Sequence, residues 1–282
     1  MANTAITAQD ARRLLCHILG LSAETYQAGA PFTLTVQQQQ VYDALMRRRL
    51  EGEPVAKIIG KKDFWKHTFL TNRHTLDPRP ESEHLIEAVL AYRPDTSHTY
   101  HILDCGTGSG CLLLSLLHEY GHAQGLGIDI SPHAITTAQA NATRLSLMDR
   151  ASWQVTSWRD LTTPPYDIVI SNPPYIPTLD ISALMSDVKE YDPLIALDGG
   201  EDGLDAYREL FAHLSTLLKR GGLFVCEIGA SQEVDVVTIG KAAQMSYRET
   251  IRDLAGLPRV LVWERLAPDE DNSLTLRREQ SS

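Results

Sequence analysis

The sequence predicts an α/β fold: a doubly wound, mostly parallel sheet, with a small helical domain in front of it. Three observations carry that reading. From about residue 98 onward, short apolar runs alternate with stretches of helical periodicity, the pattern of strands joined by crossover helices. Glycines cluster at a strand-to-helix junction, Gly106, Gly108 and Gly110. The first fifty residues, by contrast, show helical spacing only.

The elements follow in order. "TAQDARRLLCHILGLS" spaces Ala8, Ala11, Leu14, Leu15, Ile18 and Leu19 on one helical face, and Gly20 is its stop. "TVQQQQVYDALMRRRLEGEP" continues through Val41, Leu45 and Leu50 and ends at Gly52 and Pro54. Residues 54–76, with β-rich flanks about Gly60-Lys61-Lys62-Asp63, read as a hairpin whose turn is that tetrapeptide. A helix opens after Pro80. Strands are then expected at "YHILDC", "GLGIDI", "SWQVT", "YDIVI", "LFVCEIG" and "RVLVWERL". The helices between them are "GCLLLSLLHEY", "SPHAITTAQANATRL" and "GLDAYRELFAHLSTLL". The boundaries are therefore residues 1–53 for the helical N-terminal domain, 54–76 for the β-hairpin linker and 77–282 for the sheet domain. A polar tail, "DEDNSLTLRREQSS", is expected to be loose.

Composition narrows the function. With 43% hydrophobic and 22% charged residues, the chain has an ordinary globular profile. No apolar run is long enough to span a membrane, and no signal peptide opens the chain. Cys16, Cys105, Cys111 and Cys226 fall in no C-x-x-C pair, which suits a reducing, cytoplasmic compartment. The net charge of −10 divides into +4 over residues 1–75 and −14 over the rest. An acidic sheet domain argues against DNA as a partner and is compatible with a protein.

Two motifs carry chemistry. In "LDCGTGSG" the segment Gly106-Thr107-Gly108-Ser109-Gly110 lets the backbone approach a ligand, with free N–H groups of a helix start behind it. The spacing is not G-x-G-x-x-G, so a dinucleotide is disfavoured. Asp129 ends the next strand, where a carboxylate can accept both hydroxyls of a ribose. Second, "YDIVI" stops on Asn172-Pro173-Pro174-Tyr175. The prolines fix φ and lack a donor, and Asn172 before a proline is pushed toward extended geometry. The Asn172 side-chain oxygen and nearby carbonyls thus form a rigid set of acceptors for an –NH2 group. Holding both protons favours a transition state in which positive charge builds on that nitrogen. Tyr175 offers a flat surface to a planar amide or base. The competing readings are a tight strand–helix turn and an Asn-Pro turn with a core tyrosine.

Other constellations are weaker. "HEYGH" (118–122) matches the zinc-protease pattern, but Gly121 should end the helix before His122, so no metal is expected. The acids of "ESEHLIE" suit a first helical turn, and Arg47-Arg48-Arg49 suits a last one, with contact to a partner's surface as the alternative.

Together "DCGTGSG", Asp129 and the Asn-Pro-Pro-Tyr signature resemble the class I S-adenosylmethionine-dependent methyltransferases, Rossmann-like enzymes with a seven-stranded sheet. That signature is shared by N6-adenine DNA methyltransferases and glutamine N5-methyltransferases. The flanking blocks "EPVAKIIGKKDFW", "LDPRPESEHLIE", "VKEYDPLIALDGGEDGLDAYREL", "GGLFVCEIGASQ" and "DLAGLPRVLVWER" resemble the peptide chain release factor glutamine methyltransferase family, the PrmC/HemK type. The resemblance runs over nearly the whole chain. It implies an N-terminal substrate-recognition domain and a catalytic domain using S-adenosyl-L-methionine, with S-adenosyl-L-homocysteine as product. Gly106 to Gly110 would wrap the methionine part, Asp129 the ribose, and Trp158 would lie near the adenine. Asn172 would touch both cofactor and substrate. Asn172 and Pro173 would hold the glutamine amide, with Pro174 and Tyr175 packed against it. The implied partner is the Gly-Gly-Gln loop of class-1 release factors, met by a monomer. The rival readings are glutamine methylation of a ribosomal protein, DNA adenine methylation, and a non-catalytic ribosome-associated module. A sister group acting on a ribosomal protein has "PRSP" where this chain has Pro78-Arg79-Pro80-Glu81, which favours the release factor. Two positions depart from the family pattern: Ser157 replaces a residue that is often acidic, and Asp77 stands in an apolar slot.

Overall fold

A computed structural model describes residues 6–29 and 31–266; the polar tail lies outside the described residues. The N-terminal domain is helical. Helix α1 (Ala8–Leu19) starts in a capping box, in which Thr7 and Asp10 satisfy each other's backbone N–H, and stops at Gly20 with φ +65°. After the short α2 (Ala23–Gln27) comes α3 (Val36–Leu50), which repeats the capping box with Thr35 and Gln38. Leu14, Val55 and Ile58 then form a small core with Tyr42, Leu45 and Met46.

The linker corrects the expected hairpin. It opens as helix α4 (Val55–Ile59), and Gly60, at φ +68°, caps that helix instead of turning a hairpin. Strands β1 (Lys61–Phe64) and β2 (His67–Leu70) pair with Phe64 opposite His67, so the turn falls at Trp65-Lys66. Trp65 takes a positive φ there. It is held because its N–H donates to Glu83 Oε1 at 2.7 Å and its indole N–H to Glu119 Oε1 at 2.7 Å. Those carboxylates lie 18 and 54 residues away, beyond the reach of local turn rules.

The sheet domain begins with α5 (Glu83–Tyr92) after a 3₁₀ turn at Pro80–Ser82. Strand β3 (His101–Cys105) leads to α6 (Cys111–Glu119), β4 (Gln124–Asp129), α7 (Pro132–Arg144) and β5 (Ala151–Val155). Strand β6 (Tyr166–Ser171) is followed by 3₁₀ turns and α8 (Ser186–Tyr191), then α9 (Asp205–Leu217) and β7 (Leu218–Glu227). Helix α10 (Glu233–Ala242), β8 (Ser246–Arg252) and β9 (Pro258–Glu264) complete it. The seven strands lie in the order β5-β4-β3-β6-β7-β9-β8, and only the pairings of β9 are antiparallel.

Each face of the sheet is buried. Leu85, Ile86 and Val89 of α5 pack with Leu113, Leu116 and Leu117 of α6 on one side. Tyr207, Leu210, Phe211 and Leu214 of α9 pack with Phe224 and Trp263 on the other. Gly240 of α10 is required there: a Cβ would come within 2.3 Å of the Trp263 ring. The chain leaves β3 toward β4 on one side and β6 toward β7 on the other, so the order reverses between β3 and β6. Both sequence motifs follow these two strands, at the switch point where such sheets bind ligands. Among the described residues no helix is long and apolar enough to cross a membrane.

Candidate functional site

The loop after β3 is fastened to β4, since Gly106 and Thr107 each donate an N–H to the Ile128 carbonyl at 2.9 Å. Gly106 and Gly108 hold φ of +75° and +55° with open space where a Cβ would be, so glycine serves conformation there. Gly110, also left-handed at φ +79°, does a second job as well. It starts α6, and a Cβ on it would lie 2.9 Å from Trp153, so this glycine permits close helix packing. Gly106, Thr107, Gly108 and Ser109 line the main cleft; Gly110 does not.

Two acids flank this loop. Asp104 is fully buried and accepts from Thr107 Oγ1 at 2.6 Å, while its Oδ1 has no partner among the described residues. Burial pushes its carboxyl up to about 7. Asp129, at the end of β4, accepts N–H bonds from Gly108 (3.0 Å) and Ser131 (2.8 Å). Burial raises its carboxyl from the ordinary range, against those two N–H groups.

The second motif is clamped on all sides. Ser171 Oγ donates to the Cys105 carbonyl, joining β6 to β3. Ile176 N–H bonds the Leu197 carbonyl at 3.0 Å, and Gly199 N–H returns to the Ile176 carbonyl at 2.9 Å. Gln232 donates to the carbonyls of Tyr175 (2.9 Å) and Gly203 (3.0 Å) and accepts from Gly229 N–H (3.0 Å). Asn172 donates its Nδ2 to Ser82 Oγ at 3.1 Å. Ser82 in turn donates to the buried Glu227 Oε2, and Tyr175 OH reaches Glu227 Oε1 at 3.4 Å. Burial pushes Glu227 up to about 7 and raises Tyr175 above its usual range.

The residues expected to form the site are thus largely gathered, with differences. The main cleft is lined by Gly106 to Ser109, Asp129, Ser157, Trp158, Asn172 and Pro174. Tyr175 lines an adjoining pocket with Arg79, Glu81, Glu227 and Arg259, and of the four motif residues only Asn172 lines both. Pro173 is buried and lines neither. In "HEYGH", α6 ends at Glu119, so His118 is helical and His122 lies beyond the helix.

The departures acquire partners. Asp77 accepts from Thr71 Oγ1 and pairs at 3.0 Å with Lys57, whose side chain is only 4% exposed. Lys57 also lies 3.0 Å from Asp192 and donates to the Asn72 and Thr75 carbonyls, while Arg79 pairs with Asp192 at 2.8 Å. An aspartate in that slot therefore answers a buried lysine from the linker. Ser157 donates to Asp160 at 2.6 Å, so an acid does sit in this turn, three residues later. Ser82, Glu227 and Gln232 went unread as site residues because their partners are 90, 52 and 57 residues away. Their only signal was membership of the blocks "LDPRPESEHLIE" and "GGLFVCEIGASQ".

The family model described as the PrmC N-terminal domain matches residues 2–60, and one described as a methyltransferase domain matches 102–191. The chain is 42% identical to the release factor glutamine methyltransferase of Rhodospirillum rubrum, over 92% of this chain and 79% of that protein. The chain belongs to the release factor glutamine methyltransferase family. The proteins of that name from Bradyrhizobium diazoefficiens and Caulobacter vibrioides are each 40% identical, over 92% and 90% of this chain and 88% of each of theirs. Among solved structures, the hMettl16 catalytic domain in complex with MAT2A 3'UTR hairpin 6 aligns with a TM-score of 0.57 at 16% identity, over 71% of this chain and 76% of that one. The ribosomal protein L11 methylase of Lactobacillus delbrueckii subsp. bulgaricus gives 0.50 at 20% identity, over 68% and 83%. At such identities these two support the fold alone. Members of this family are S-adenosylmethionine-dependent methyltransferases, and this chain is an enzyme of that kind.

Proposed function

We propose that the chain methylates the side-chain amide nitrogen (N5) of the glutamine in the Gly-Gly-Gln loop of class-1 peptide chain release factors, in the cytoplasm. One observation carries the reading: the carboxamide of Asn172 lies where the cofactor-type cleft meets the adjoining pocket, with its nitrogen already engaged by Ser82. The oxygen is left to accept. Family membership supplies the class of acceptor.

The cleft residues suit S-adenosylmethionine. The open backbone at Gly106 and Gly108, the unpartnered Ser109 Oγ, the Asp129 carboxylate and the Trp158 ring offer contacts to its amino acid, ribose and base. When bound, that cofactor supplies a methyl group activated for displacement. The chain's part is to hold and orient the acceptor. An amide nitrogen is a poor nucleophile because its lone pair is delocalised. Asn172 Oδ1 and the main-chain carbonyl of Pro173 accept its two protons, and stabilise the positive charge that develops there. Tyr175 and Pro174 restrict the amide plane. The surplus proton leaves to solvent after transfer, so no general base is assigned. Orientation and proximity supply the rate.

The test uses labelled cofactor with the full chain and, in parallel, a class-1 release factor, ribosomal protein and DNA. Label on the Gly-Gly-Gln glutamine is the expected result. Label on adenine, or on ribosomal protein alone, would assign a different substrate.

A further inference from the structure

We infer that Ser82 and Glu227 are positioning residues that decide which end of the Asn172 carboxamide faces the substrate. This rests on the methyl-transfer reading above and extends it to two residues outside the motif.

The inference follows from counting protons. A serine hydroxyl has one proton, and an ionised carboxylate can only accept. Ser82 lies between Glu227 Oε2 and Asn172. Its proton goes to Glu227, a carboxyl that is 3% exposed and, among the described residues, otherwise bonded at its side chain only by Tyr175 OH at 3.4 Å. Ser82 Oγ can then meet Asn172 only as an acceptor. It must therefore take the Nδ2 donor, which turns Oδ1 toward the cleft. Flipping the amide would bring Oδ1 against the serine oxygen with no proton between them. That arrangement sets two acceptors in contact in a dry site.

The same count shows what undoes the device. A protonated Glu227 can donate to Ser82, whose own proton is then free for Asn172 Oδ1. The flipped amide becomes possible, and it presents an –NH2 group to the –NH2 group of the substrate. The groups around Glu227 come from several elements. Arg259 of β9 favours the ionised form, Glu81 of the 3₁₀ turn opposes it, and Tyr175 donates to it. Tyr207 of α9 bonds the Glu227 main-chain carbonyl at 2.9 Å. Oriented carboxamide and active enzyme therefore belong to the pH range in which Glu227 is ionised.

The test measures turnover at saturating cofactor and release factor for wild type, Ser82→Ala, Ser82→Thr and Glu227→Gln. Ser82→Ala should lower kcat by about 10- to 100-fold with cofactor affinity unchanged, the split expected when only the transition state loses an interaction. Ser82→Thr keeps the hydroxyl and should recover most of the loss. The wild-type kcat should rise with pH through one inflection near neutrality, and Glu227→Gln should abolish that inflection. A second readout needs no turnover. In protein labelled with ¹⁵N-asparagine, the Asn172 side-chain amide signal, assigned by its loss in Asn172→Ala, should titrate with Glu227 in wild type and stay flat in Ser82→Ala. Wild-type kcat in Ser82→Ala, or an Asn172 signal indifferent to Glu227, overturns the inference. A wild type that shows the coupled titration but methylates no release factor leaves the inference standing and removes the proposed substrate instead.

Discussion

At the scale of single residues, the loop after β3 and the motif after β6 were legible because each packs its chemistry into a few consecutive positions. Asn172 and Asp129 announce themselves by residue type at a strand end. Ser82 does not, since its meaning depends on Glu227, 145 residues later. Asn172→Ala is expected to cost about 3 kcal/mol in the chemical step, the scale of losing one preorganised partner of developing charge. Cofactor affinity should be close to unchanged, as checked by calorimetry beside single-turnover rates. Asp129→Ala should do the opposite and weaken cofactor binding, because it removes the acceptor that Gly108 and Ser131 hold in place. Wild-type affinity in that variant would contradict a ribose contact.

At the scale of elements, long periodic segments were readable and short contextual ones were not. The hairpin turn lies at Trp65-Lys66 because distant Glu83 and Glu119 hold it, which no local glycine rule can reveal. Strand β8, "SYRETIR", is a largely polar edge strand paired only with β9, and α10 carries β-branched residues and a glycine that packing on Trp263 demands. Neither has a clear periodicity. The linker is also where the enzyme's parts are tied together: Lys57 of α4 bridges Asp77 and Asp192, which precedes a segment lining the cleft at Pro193, Ile195 and Ala196. Lys57→Met would leave two buried carboxylates without their shared cation. A loss of about 3–5 kcal/mol is expected by urea denaturation. Adding Asp77→Leu should return part of it, since one unpaired charge is then gone; no recovery would show that the pair is not coupled.

At the scale of the whole molecule, the site is held at some expense of stability. Glu227 ordinarily titrates at 4.5 and is raised to about 7 by burial. Between those values the folded chain holds a proton that the unfolded chain has lost, so this group lowers stability as pH rises from 4.5 to 7, and its effect is constant above that. Glu227→Gln should therefore melt close to wild type at pH 5 and above it at pH 8, by up to about 3 kcal/mol. A gain that is equal at both pH values would contradict the buried charge. The trade matches a fold that keeps an ionised group beneath its reacting end and tolerates the cost.

The most direct test of amide methylation is mass spectrometry of a class-1 release factor after incubation with the full chain and isotopically labelled S-adenosylmethionine. Wild type should place one methyl on the Gly-Gly-Gln glutamine, and Asn172→Ala, with its cofactor still bound, should leave that residue almost unlabelled. Label elsewhere, or equal labelling by the Asn172→Ala variant, would contradict it.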